Sequence, residues 1–428
     1  MTNRYTHTLI PGGAHTYSKG DDQFPANAPS HIERGDGARV WDRDGNEYLD
    51  WCMGLRSVSL GYRFAPVIEA AIEQIWKGSN FGRPSYIETE LAEDLGALIP
   101  SAEMVKFAKN GSTVTTAAVK LARAHTGRDL VAICKDHPFF SYDDWFIGAT
   151  AVPAGVPQAI RDLTLTFRYN NLASLERLFA EHPNQIACVI LEPATTEEPR
   201  DGFLHGVAEL CRTHGAVFVL DEMITGFRYH LNGAQTLYGV QPDLATFGKG
   251  MGNGFSVAAL VGRREIMELG GLFHGKPRVF LISTTHGAEN HSLAAARAVL
   301  RVFREQNVVD HMWRIGGLLI QGLNEAARGA GIARHFKAFG FPCNPAYAIT
   351  DQPGTPSAGL RTLFMQEMVK GRVLMPYLAP ALAHTEADVA RTVETAAGAM
   401  RVVARALDDG WENLLDGEPV KPVFREFN

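Results

Sequence analysis

Lys249 is the residue in this chain best suited to do chemistry. It sits in Asp243-Leu-Ala-Thr-Phe-Gly-Lys-Gly-Met-Gly-Asn-Gly254, just after a short apolar run and inside a cluster of glycines. A lysine amine held on such backbone is a nucleophile that condenses with carbonyl groups to form a Schiff base. Asp221 comes 28 positions earlier and ends the apolar run Ala216-Val-Phe-Val-Leu220. An acid at the C-terminal end of a buried strand points into the ligand crevice of an open α/β sheet. The competing reading of both residues is ordinary: a surface charge for the lysine, a strand-end cap for the acid.

Other segments carry related signals. Asn110-Gly-Ser-Thr113 lies between a candidate strand and a candidate helix, which makes it an anion site at a helix N-terminus or a simple N-cap by Ser112 or Thr113. It is not a Walker loop, and neither is Gly248-Lys249, because Asp243 stands where the first glycine is required. Glu192-Pro193 ends another apolar run, as Asp221 does. In His137-Pro-Phe-Phe-Ser-Tyr142 aromatic rings follow a strand, where they either stack on a flat ligand or pack in the core. Ser283-Thr-Thr-His-Gly-Ala-Glu-Asn-His291 holds two histidines and an acid, but not at His-Glu-x-x-His spacing. A second phosphate contact at a helix start is the better reading. There is no Gly-x-Ser-x-Gly for a hydrolase triad.

These residues need a scaffold. Short apolar runs at 104–108, 130–134, 186–191, 216–220 and 258–261 predict buried strands. Helical periodicity covers 66–76 and 86–98, a helix runs from the 109–113 segment through Ala124, and further helices fall at 291–305 and 311–328. That alternation predicts an α/β domain with a mainly parallel sheet. The first 37 residues read as an irregular arm. Ala38–Asp42 and Glu47–Asp50 flank an Asp-Gly turn and predict a hairpin. We expect an N-terminal arm and hairpin over 1–60 packing with a small domain, a large domain over 61–330, and a small α+β domain over 331–428 with helices at 363–370 and 386–407.

The whole chain narrows the function class. It has 428 residues, 46% hydrophobic, with net charge −6 and a pI near 6.2, and no basic stripe for nucleic acid. Five scattered cysteines without Cys-x-x-Cys read as reduced thiols. The segment Met1–Thr8 lacks the apolar core of a signal peptide, and no run approaches membrane-spanning length. A cytoplasmic protein is expected.

Three blocks together resemble a known family. Gly111-Ser-Thr113, Leu220-Asp-Glu-Met-Ile-Thr-Gly-Phe-Arg228 and Thr246-Phe-Gly-Lys-Gly250 are similar to the signature blocks of class III, fold type I, pyridoxal-phosphate aminotransferases. Ile10-Pro-Gly-Gly13, Gly35–Asp50 and His384–Val393 resemble the glutamate-1-semialdehyde aminomutase branch, so the similarity covers nearly the whole chain. The resemblance implies the family fold: a large domain with a seven-stranded, mainly parallel sheet and a small α+β domain. It also implies pyridoxal 5'-phosphate as cofactor, no metal, and small-molecule amine and carbonyl substrates handled by ping-pong transamination. By position, Lys249 matches the Schiff-base lysine and Asp221 the partner of the pyridinium nitrogen. Met223 matches one ring face, and Phe139 or Phe140 the stacking aromatic on the other. Gly111, Ser112 and Thr113 match the phosphate cup, and Glu192 the cofactor's edge. Thr285 matches a threonine that reaches the phosphate across a homodimer interface.

The departures from the aminomutase branch fall on its substrate-contacting regions. Thr16 and Lys19 stand where that branch has serine and arginine, and Leu55, beside Arg56, replaces a tryptophan. His137-Pro-Phe-Phe140 replaces a tyrosine–histidine–glycine block, and Met375–His384 lacks a Phe-Glu-Ala segment. Thr16, Lys19 and Arg56 are therefore the candidate substrate contacts. The pattern implies the same cofactor with a different substrate: an aminotransferase acting on a keto-sugar or another specialised carbonyl. An aminomutase or racemase is the alternative within the cofactor class, and a non-catalytic fold relative is the distant one.

Overall fold

A computed structural model describes residues 3–352 and 354–427; Met1, Thr2, Pro353 and Asn428, which fall in the expected arm and small domain, lie outside the described residues. The chain forms two compact units, one of Ala65–Val309 and one combining Met1–Phe64 with Asp310–Asn428.

The first unit is built on a seven-stranded sheet. Its strands are β1 (Met104–Ala108), β2 (Leu130–Cys134), β3 (Thr164–Phe167), β4 (Ile186–Leu191), β5 (Val217–Asp221), β6 (Leu244–Phe247) and β7 (Ala258–Gly262). They lie in the order β1-β7-β6-β5-β4-β2-β3. The contiguous block β6-β5-β4-β2-β3 is parallel, while β7 runs antiparallel to both β1 and β6. The reversal has a covalent cause. Only Gly248–Val257 joins β6 to β7, too little chain for the crossover that parallel neighbours need. Strands β4, β5 and β7 are buried along their whole length, so they read as unbroken apolar runs.

Helices α1 (Ala65–Lys77), α2 (Tyr86–Leu98), α3 (Gly111–Thr126), α4 (Leu172–Glu181), α5 (Phe203–His214) and α6 (Asn290–Glu305) belong to this unit. Glu88 reaches back to the Ser85 amide at 2.8 Å to cap α2, and α3 ends on left-handed Gly127. The alanines of α6 are buried where it packs on α1 and α2.

The second unit collects α7 (Val308–Gly329), α8 (Ala358–Lys370), α9 (Glu386–Asp409) and two small sheets. The sequence put the small domain's start near 331. In the structure the division falls in the first turn of α7, because Ile315, Leu319 and Leu323 share a core with Phe336, Tyr347 and Phe364. The hairpin forms from Arg39–Trp41 and Glu47–Asp50, and Val373–Leu374 adds a parallel strand to it.

Asp50 organises the turn that follows. Its Oδ1 accepts the Cys52 amide at 2.8 Å, and its Oδ2 accepts the Met53 amide at 3.2 Å and the Tyr62 hydroxyl at 2.8 Å. Met53, Gly54, Leu55 and Arg56 then adopt left-handed φ values of 43°, 57°, 60° and 72°. Three of the four carry side chains, at a cost of about 1 kcal/mol or more each. Next door, Trp51 stacks on buried His384 with ring centroids 4.0 Å apart and donates its indole N–H to Thr392. Asp50→Asn loses an acceptor that serves two donors in a buried network. We expect it to lower unfolding free energy by about 1–3 kcal/mol, read from urea midpoints; an unchanged midpoint would dismiss Asp50 as the organiser.

Candidate active site

Met223 is where three separated segments meet. A Cβ on Gly111 would lie 3.0 Å from its sulfur, and one on Gly248 would lie 2.7 Å away. A Cβ at either place would press on the thioether, so the two glycines give it its closest fit. The packing brings together the N-terminus of α3, the end of β5 and the turn after β6 that carries Lys249.

Asp221 ends β5 and is 2% exposed. Its Oδ1 accepts the Met223 amide at 3.0 Å and the Thr246 hydroxyl at 2.9 Å. Oδ2 takes no hydrogen bond from the described residues. Burial pushes the carboxyl's pKa up, and the Lys249 charge nearby pulls it back down. Glu222, the adjacent acid, is spent on structure: it accepts the Thr225 hydroxyl and the amides of Ala234 and Gln235. Lys249 is half-buried and left-handed, with φ 42°, an unfavourable backbone state for a lysine that the flanking glycines help the turn adopt.

The helix start differs from its sequence reading in one respect. Asn110 is the N-cap, not Ser112 or Thr113. Its Oδ1 accepts both the amide and the hydroxyl of Thr113, at 3.0 and 3.1 Å. That occupies the Thr113 amide. The amides of Gly111 and Ser112, in the first turn, have no acceptor within the helix by geometry alone. Ser112 is buried, and its Oγ accepts the Tyr142 amide at 3.1 Å, which still leaves its proton to donate.

The segment after β2 is pinned to α3. Thr115 donates to the Phe140 carbonyl at 2.9 Å, and Thr116 donates to Asp143. This pinning separates the two candidate rings. Phe140 is 2% exposed and packs against Phe146 and His137. Phe139 is 45% exposed, with an edge contact to Phe146.

Glu192, at the end of β4, is buried, and its amide donates to His137 Nδ1 at 3.0 Å. That bond puts the proton of neutral His137 on Nε2, a buried atom with no partner among the described residues. A further pair was not read from the sequence. Lys109, just before the cap, meets Glu289 at 3.1 Å and so ties the cup to the segment carrying Thr285. Lone charges far apart in sequence gave no signal of it. Thr285 itself is exposed in a surface turn. His291 also approaches Glu289, at 3.8 Å. Among the described residues no group of three or more His, Cys, Asp or Glu side chains is arranged to hold a metal.

Thr16, Lys19 and Arg56 lie in the other unit. Thr16 and Lys19 are exposed on the arm. Arg56 is held: its Nε donates to Asn344 Oδ1 at 2.6 Å, and the guanidinium lies 5.9 Å from the Tyr377 ring centre. The candidate cofactor residues therefore share one unit and the three candidate substrate contacts share the other.

Burial lowers the pKa of His137, and of His384, from 6.5 to about 4. Both stay neutral in the fold while their unfolded counterparts take up protons below pH 6.5. Stability is therefore complete above that pH and falls as the pH drops toward 4, by up to about 3 kcal/mol per group. Urea midpoints across this window should show the fall, and His137→Gln should remove about half of it, leaving the part due to His384. A profile unaffected by that substitution would contradict a buried neutral His137.

The family model described as aminotransferase class-III matches residues 19–340. A glutamate-1-semialdehyde 2,1-aminomutase from Desulforamulus reducens is 35% identical over 422 residues, covering 93% of this chain and 96% of that protein. The pyridoxal-phosphate form of the FumI protein from Sphingopyxis sp. MTA144 superposes with a TM-score of 0.87 at 27% identity, covering 98% of this chain and 97% of that one. An omega-transaminase from Sphaerobacter thermophilus gives 0.83 at 25% identity, over 94% and 96% of the two chains.

Proposed function

Since the chain belongs to the class III aminotransferases, enzymes that use pyridoxal phosphate and act on small-molecule amines and carbonyls, we propose that Lys249 carries the cofactor and moves the proton in an amino transfer. The observation that carries this reading is the Met223 packing, which sets Lys249, Asp221 and the cup at Gly111 around one point. The donor set fits the cofactor. Both recorded donors to Asp221 reach Oδ1, and Oδ2 remains as the acceptor a protonated pyridine nitrogen requires. The amides of Gly111 and Ser112, with the Ser112 hydroxyl, suit a phosphate, and the Thr113 hydroxyl would join them on turning away from Asn110. Met223 and Phe139 would take the two ring faces, with buried Phe140 supporting the Phe139 segment, and Glu192 the ring's edge. When bound, pyridoxal phosphate supplies an aldehyde that condenses with primary amines and a ring that takes up the electron pair left at the substrate carbon.

The chain's own residues do the rest. Asp221, buried beside Lys249, would hold the pyridine nitrogen through Oδ2 and favour its protonated form. Lys249 Nζ, as a neutral base, removes the proton from the amine-bearing carbon of the donor. In the second half-reaction the same Nζ returns a proton to the carbon of the acceptor, which gives ping-pong kinetics. Thr16, Lys19 and Arg56 are proposed to contact the substrate, a keto-sugar or another specialised carbonyl. Their departure from the aminomutase pattern supports this. The same pattern disfavours, but the 35% identical relative favours, a second reading as an aminomutase. A single turnover separates them: an aminotransferase releases its keto product and stops, whereas an aminomutase retains the amine on the same molecule.

A homodimer is proposed, with Thr285 reaching the partner's phosphate. Exposed apolar side chains in one unit support it: Ile75, Trp76, Tyr86, Phe273 and Phe280, with Trp76 86% exposed. No helix among the described residues is long and apolar enough to cross a membrane. A cytoplasmic setting is proposed on the five free cysteines.

Lys249→Ala should abolish the visible absorbance band that borohydride shifts in the parent protein, and slow turnover by at least about a hundredfold. Retention of both would reject Lys249 as the carrier. Trp76→Glu should shift the purified protein from dimer to monomer mass in light scattering; a parent protein that is already monomeric would reject the dimer.

A further inference from the structure

Phe139 is half-exposed, yet the backbone on both sides of it is tied down. On its N-terminal side, His137 Nδ1 accepts the Glu192 amide at 3.0 Å, and Pro138 has its φ fixed by its ring. On its C-terminal side, the Phe140 carbonyl accepts the Thr115 hydroxyl at 2.9 Å, and the Tyr142 amide donates to Ser112 Oγ at 3.1 Å. Ser112 and Thr115 stand in the first turns of α3, at the candidate phosphate cup. An aromatic ring left uncovered beside such a cup, on backbone that is pinned, is suited to be covered by a ligand.

Asp143 closes this arrangement. It stands at the N-cap position of the short helix Asp144–Ile147, where a carboxylate ordinarily accepts an amide of its own helix, but its side chain makes no such cap. It is turned to α3 instead. Its Oδ2 accepts the Thr116 hydroxyl and, at 3.2 Å, the Ser141 hydroxyl. Thr116 Oγ1 in turn accepts the Trp145 indole N–H at 2.8 Å, and Ser141 Oγ accepts the Asp143 amide at 3.0 Å. The single proton of each hydroxyl is therefore spent on one carboxylate oxygen, an acceptor that makes stronger bonds than a neutral one. Trp145 is buried, and its carbonyl accepts the Thr164 hydroxyl of β3 at 2.6 Å. The clasp thus joins α3, the segment that carries Phe139, and the edge strand of the sheet. Phe146 in the same short helix supplies the edge contact to Phe139, with ring centres 5.8 Å apart.

We propose that Asp143 is a positioning residue for the cofactor: through Thr116 it clasps the 139–146 segment to α3 and so sets the Phe139 ring relative to the phosphate cup. The inference rests on the reading of Phe139 as a ring-face contact. The forgone cap is what separates this role from ordinary loop stabilisation. A cap would act within four residues, whereas the bond to Thr116 spans 27 positions and ends on the helix that carries the cup.

The test titrates pyridoxal phosphate into the full-length protein freed of cofactor, following the visible band by absorbance and circular dichroism. Thr116→Val removes the hydroxyl while keeping the side chain's shape, and Thr116→Ser keeps the hydroxyl. The valine variant should bind about tenfold more weakly, the scale of one lost hydrogen bond to a charged acceptor, and lose ellipticity in the bound band. The serine variant should retain both. Asp143→Asn, which keeps an acceptor and loses the charge, should show a smaller loss in the same direction. In a Phe139→Leu background the loss caused by Thr116→Val should largely vanish, because the ring to be positioned is gone. A merely structural role would leave the loss the same in both backgrounds. That outcome, or affinity and ellipticity equal to the parent's in the Thr116→Val and Asp143→Asn variants, overturns the inference. A Phe139→Leu protein that binds as tightly as the parent rejects the ring contact on which the inference rests, and with it the inference. A parent protein that gains no visible band rejects the enzyme reading itself.

Discussion

The Met223 thioether, wedged against two glycine Cα positions, is the contact on which the candidate active site depends. It is not a bond but a close fit: a Cβ at Gly111 or Gly248 would press on the sulfur. Because the three segments it joins begin or end different strands, no local rule brings them together. The sheet does so by setting β5 and β6 side by side with their C-terminal ends level. Asp221 and Thr246 then share a hydrogen bond, and Lys249 follows three residues later. The positions of the buried acid and the amine follow from that one register, and the Gly111 segment joins them through Met223.

The other unit shows a second use of constraint. A run of four left-handed residues ending on Arg56 persists because Asp50 holds the amides entering the turn and Asn344 holds the guanidinium leaving it. Strain of this kind survives only where neighbours over-determine it. The C-terminal tail and the N-terminal arm are treated similarly, with Gln366 bonding to both. Both devices place charged side chains on backbone that does not wander.

Much of the scaffold was legible. β1, β2 and β4 lie where their apolar runs predicted, and α2 spans the same residues as its periodicity. The exceptions are informative. β3 is Thr-Leu-Thr-Phe at the sheet's edge, too short and too polar to register as an apolar run. β6 was read only as an apolar stretch before Lys249. The antiparallel direction of β7 came from a loop length rather than from any residue type. The cap at Asn110 was misassigned to its neighbours because serine, threonine and asparagine compete for that role on nearly equal terms.

Residue types, with the family pattern they match, were enough to establish the α/β class, the enzyme family, the cofactor and the candidates at Lys249, Asp221 and Gly111–Thr113. Those follow from local chemistry and periodicity, which one chain segment carries by itself. Tertiary structure alone decided that Phe140 is buried and Phe139 is exposed, that Lys109 reaches Glu289, and that Asp143 accepts the Thr116 hydroxyl of α3. Each is a relation between segments distant in sequence or a difference in burial between neighbours. Such relations are set by packing, and packing has no signature until the chain has folded.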